Sequence, residues 1–107
     1  MKLKKRMAKS FGKAVSFEVD ELNKTIGARL MRLRSTYGLD QKTVAEKIVV
    51  SANMVSQIEN GVRGTDARKT IAFAKLYNVT TDFILNGDRE SLSKVQATII
   101  KGSRYFD

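Results

Sequence analysis

The chain has 107 residues, and its twenty Lys and Arg against eleven Asp and Glu give a net charge of +9. With no Cys and no His, it lacks disulfides, thiolate metal sites, the commonest general base and the commonest metal ligand. No catalytic set, metal site or cofactor is therefore expected.

An excess of positive charge on this scale implies an anionic partner. No apolar run approaches the roughly 18–20 residues of a membrane span. The charged start MKLKKRMAKSFGKAV has no apolar stretch behind it to make a signal peptide, so a cytoplasmic protein is expected.

The charge is uneven. Residues 1–19 hold six basic side chains (Lys2, Lys4, Lys5, Arg6, Lys9, Lys13) and one acid, Glu18. Residues 20–86 hold ten basic and seven acidic, and the rest four and three. The organisation expected is a basic arm (1–19), a compact domain (20–87) and a tail (88–107). Leu3, Met7, Phe11 and Val15 recur every four residues, so the arm has two readings. It is either a basic strand on DNA or an amphipathic helix that packs on its own protein, a partner or a membrane surface.

Beyond the arm, Leu22, Ile26, Leu30, Leu33 and Tyr37 form a helical stripe that Gly38 ends. Asp40 can cap a second helix, QKTVAEKI, with Val44, Ala45 and Ile48 inward. Ser51 can cap a third, closed by Gly61. Asp66 can cap a fourth, which offers Ile71, Phe73, Ala74 and Tyr77 to the core before Asn78 stops it. TTDFILN makes a short fifth helix ending near Gly87. In the tail, Leu92, Val95 and Ile99 have helical spacing, and so short a helix needs something to pack on, the core or a second subunit. No segment alternates in the manner of a strand. The fold class is all-α.

The third helix carries the functional signal. In SANMVSQIENG, Met54, Val55 and Ile58 fall on one side, while Ala52, Asn53, Ser56, Gln57 and Asn60 fall on the other. That outer face has no Lys or Arg in a strongly basic protein. It is either a bland polar surface or one built to form specific hydrogen bonds.

The segments LDQKTVAEKIVVSANMVSQIENG and LYNVTTDFILNGD resemble the Cro/CI-type (XRE-like) helix-turn-helix regulators over roughly Ile26 to Asp88. The resemblance implies a five-helix lambda-repressor-like domain whose third helix enters the major groove. Ala52, Asn53, Ser56 and Gln57 then become the base-contacting face. Asn and Gln suit adenine, and the Ala methyl suits a thymine methyl. Gln41 and Ser51 match phosphate clamps at two helix starts, with Ser51 equally a plain cap. Asn60, Arg63 and Lys42 are further phosphate candidates, Arg63 also reading as a solvated loop charge.

Arg34 and Glu59 match an ion pair that ties the first helix to the third. The resemblance also places Phe83 outward, as a dimer contact. In one respect the chain departs from the family. Val49 stands in the tight turn where Gly is usual, so it is either strained by about 1–2 kcal/mol or the turn takes another route.

The function implied is a double-stranded-DNA-binding transcriptional regulator, a phage or prophage-type repressor acting as a homodimer. The chain is too short for the large C-terminal oligomerisation or self-cleaving domain of some relatives. The competing reading is an antitoxin-like or other interaction module that uses the arm or the tail.

Overall fold

The computed structural model describes residues 18–106, and among them the chain forms six α-helices, two 3-10 turns and no strand. The helices are α1 (Val19–Thr36), α2 (Gln41–Ile48), α3 (Ala52–Glu59), α4 (Ala67–Tyr77), α5 (Thr81–Asn86) and α6 (Lys94–Gly102). The 3-10 turns cover Arg89–Ser91 and Arg104–Phe106. Both readings of the arm concern residues that lie, apart from its last two, outside those described.

The boundaries follow from local chemistry. Asp40, Ser51, Asp66 and Thr80 each accept a backbone N–H from three residues on, satisfying donors that a helix start leaves unpaired. Ser93 and Gln96 form a reciprocal capping box at the start of α6. Left-handed residues end α2 (Val49), α4 (Asn78) and α5 (Gly87). Gly38 and Gly61 take positive φ just beyond α1 and α3.

The core forms where α1 crosses the other helices. Leu30 and Leu33 of α1 meet Val44 and Ile48 of α2, Val55 and Ile58 of α3, Phe73 and Tyr77 of α4, and Ile84 of α5, all essentially inaccessible. Burying side chains of this size is worth about 1.5–3 kcal/mol each. Ala45 is buried at the crossing of α2 with its neighbours. Tyr77 stacks between Tyr37 and Phe73, and the Tyr37 hydroxyl donates to the Tyr77 carbonyl at 2.6 Å.

Three expectations about packing need correction. Ile71 is half exposed at 49%, because the inward face of α4 is Thr70, Phe73, Ala74 and Tyr77 at helical spacing. Thr70 can be buried because its hydroxyl donates to the Asp66 carbonyl at 2.7 Å.

Phe83 does not face outward. It is 2% exposed, and the Phe106 ring lies against it at 5.5 Å. In the tail, Leu92 does pack against the core, but from ahead of the helix, while Val95 is exposed and Ile99 only partly buried, so the expected stripe is not the packing face of α6.

Ile100 and Phe106 carry that packing instead. The tail folds back on its own core, held by Ser103 against Thr36 at 2.7 Å and by Arg89 donating to the Phe106 carbonyl.

Candidate nucleic-acid interface

α3 is presented with its two ends in different circumstances. At its start, Ser51 accepts the Met54 N–H at 3.0 Å, and Ala52 and Asn53 are exposed. One turn on, Ser56 and Gln57 are half-buried, and the Asn60 amide reaches the Ser56 hydroxyl at 3.3 Å. The expected base-contacting residues thus share one side of α3, graded from open at its first turn to sheltered at its second. Val55 and Ile58 anchor the opposite side in the core.

At its end, α3 is locked. Arg34 on α1 grips Glu59 with two hydrogen bonds, Nε to Oε2 at 2.7 Å and Nη2 to Oε1 at 2.9 Å. Its third nitrogen donates to the Leu39 carbonyl at 3.0 Å, so one guanidinium ties α1, the loop before α2, and α3. The Glu59 side chain is 1% exposed and that of Arg34 18%. The hydrogen bond to Glu59 raises the Arg34 pKa above its ordinary value. Paired in this forked geometry, the charges satisfy each other where water cannot.

Gln41, the first residue of α2, turns its amide nitrogen to Glu59 Oε1 at 3.0 Å. Its side chain therefore joins the Arg34–Glu59 pair, and what it presents outward is the helix start. Ser51 has its hydroxyl oxygen engaged as a cap, with its O–H still able to donate. Lys42, Asn60 and Arg63 are exposed. The loop bearing Arg63 is pinned to α3, since the Val62 and Arg63 N–H groups both donate to the Gln57 carbonyl.

Gly27 is a positioning residue the sequence did not advertise. A Cβ there would lie 2.2 Å from the Ile58 carbonyl oxygen and 2.6 Å from that of Glu59. α1 can approach the end of α3 this closely only because residue 27 has no side chain. The available signal was a glycine inside a helical stripe, where it costs helix stability and usually serves packing.

Val49 resolves the alternative posed for the turn. It adopts φ 61° and ψ 58°, so the turn keeps its left-handed form with a β-branched residue in it. Bonds on both sides hold it there. The Val49 and Val50 N–H groups donate to the Ala45 carbonyl, and Arg68 on α4 donates to the Ile48 carbonyl at 3.1 Å.

Residues 27–90 match the family model described as a helix-turn-helix domain. The chain belongs to that family. It is also similar to the HTH-type transcriptional regulator ImmR of Bacillus subtilis (strain 168), with 36% identity over 67 residues. The match takes in 63% of this chain and 53% of that protein, so the chain spans about half the length of the curated relative it matches. No solved structure matches it. Both similarities are to an XRE-like helix-turn-helix family of regulators, not to enzymes. Among the described residues, no helix is long and apolar enough to cross a membrane.

Proposed function

We propose that this protein is a sequence-specific double-stranded-DNA-binding regulator, a repressor of the phage or prophage type that occupies an operator as a dimer. The observation that carries the reading is the pairing of an open, amide-bearing first turn of α3 with a rigidly held last turn. Base discrimination requires donors and acceptors fixed in place, and one bidentate amide-to-adenine contact is worth about 1–3 kcal/mol against the wrong base.

Asn53 is exposed at the leading end, with Ala52 beside it and Gln57 one turn behind. In this reading Lys42, Asn60, Arg63 and the helix starts at Gln41 and Ser51 hold the phosphates and set the register. The similarity to a transcriptional regulator supports the same reading.

Selection from a random duplex pool tests it. A two-fold-related motif with half-sites about one helical turn apart is expected of a dimer. Recovery of no motif, with retention tracking salt alone, would contradict it. The antitoxin-like reading draws on the arm or the tail. The tail's Ile100 and Phe106 are engaged by the chain's own core, so within the tail that reading would draw on the exposed Val95 and Tyr105.

A further inference from the structure

We propose that the groove between the end of α1 and the tail docks a protein partner through an acidic segment that also carries apolar side chains. The groove has a volume of about 410 Å³, which is the size of a small binding cleft. Thr36 of α1 and Thr98, Ile99 and Gly102 of α6 line it, with Arg104 and Tyr105. Its framework is fixed by hydrogen bonds. The Ser103 hydroxyl pairs with that of Thr36 at 2.7 Å and accepts the Tyr105 N–H at 3.2 Å.

The apolar side of the groove is open. Ile100 anchors α6 in the core, and the opposite face of that helix leaves Val95 exposed and Ile99 only partly buried. A Cβ on Gly102 would meet nothing within 4 Å. Tyr105 adds an exposed ring, with the Arg104 guanidinium 5.0 Å above it.

Charge assigns the chemistry of the occupant. Residues 92–106 hold Lys94, Lys101 and Arg104 and no acid, and all three are exposed. Lys94 and Lys101 stand in one row of α6 with Thr98, at helical spacing. Arg32, exposed on α1 one turn before Thr36, adds a fourth cation. Among the described residues none of the four enters an ion pair. An apolar centre with a cationic rim is complementary to apolar anchors flanked by carboxylates.

Other occupants fit less well. A second copy docked through the same patch would set these cations against themselves. DNA on α3 lies elsewhere, because Gly27 and Thr36 are nine residues apart, about two and a half helical turns. α1 therefore turns Gly27 to α3 and Thr36 to the opposite side. The groove stays accessible while α3 is occupied, and its assignment does not depend on the reading of α3.

The test presents the full chain to a displayed library of random peptides. Enrichment of sequences combining Asp or Glu with aromatic or aliphatic residues is expected. The strongest, made as a free peptide, should bind the parent less tightly as salt rises. Gly102→Leu fills the groove from a position open in the chain's own fold and removes a helical glycine, so the urea midpoint should not fall. It should weaken the peptide at least about tenfold, as should Lys101→Glu combined with Arg104→Glu.

No enrichment, enriched peptides without acids, or peptide binding indifferent to Gly102→Leu would overturn the proposal. Two further results would overturn it in favour of another occupant. Self-association in sedimentation that Gly102→Leu abolishes would assign the face to a second copy. Loss of duplex binding with peptide binding intact, in the charge-reversed variant, would assign the rim to DNA.

Discussion

At its last turn α3 is held from every side, with Glu59 paired to Arg34 and Gln41, Ile58 in the core, and α1 pressed onto its carbonyls at Gly27. At its first turn Met54 and Val55 face the core, but the outward side carries no contact beyond the Ser51 cap, and Ala52 and Asn53 stand open. The difference separates aim from contact. The locked end fixes where the helix points, and the open end offers groups to a partner without being needed for folding. Substitutions at the two ends should therefore fail in different ways.

The largest effect is expected at the locked end. Glu59→Ala leaves the Arg34 guanidinium partly buried without its carboxylate. It should lower stability by about 3–5 kcal/mol, read as a shift in the urea midpoint. Gly27→Ala forces a methyl group into the Ile58 and Glu59 carbonyls, and should cost about 1–3 kcal/mol by the same assay despite alanine's better helix propensity.

At the open end, Asn53→Ala should leave the urea midpoint within about 0.5 kcal/mol of the parent, as expected for a surface position. Val49→Gly should stabilise by about 1 kcal/mol, relieving left-handed strain at a side chain that is 75% exposed.

The smallest effect is electrostatic. Hydrogen bonds from Thr43 hold the Asp40 carboxyl below its ordinary value of 3.8, and hydrogen bonds from Lys69 do the same for Asp66. A depressed folded-state pKa contributes stability that is complete above the ordinary value and is lost as pH falls through the folded one. Asp40→Asn and Asp66→Asn should each flatten the acid limb of a stability-against-pH curve and leave the neutral region nearly flat.

The sequence made one end of α3 far more legible than the other. Caps at Asp40, Ser51 and Asp66 involve partners three residues away, and the apolar stripes of α1 and α2 repeat locally, so both can be read along the chain. The question at Val49 came from the family resemblance, which left strain and another route open, and the positive φ there decides for the left-handed turn.

Of what is set at long range, the Arg34–Glu59 pair was reached only through the family resemblance, and other contacts escaped. Phe83 is buried by Phe106, which arrives only after α6, and nothing in the spacing of α5 announces it. The Gln41 amide turns to a carboxylate eighteen residues away. Ile71 is different, since the Thr70, Phe73, Ala74 and Tyr77 face was visible in the spacing but disguised by a threonine at its head.

The most direct test of the division between aim and contact is affinity for the selected duplex with Asn53→Ala and Gln57→Ala, measured beside an unrelated duplex. Each variant should lose about 1–3 kcal/mol on the selected site and relax preference at one base position. Binding to the unrelated duplex should hardly change. Equal losses on both duplexes, or none on either, would contradict the assignment of this face to base recognition.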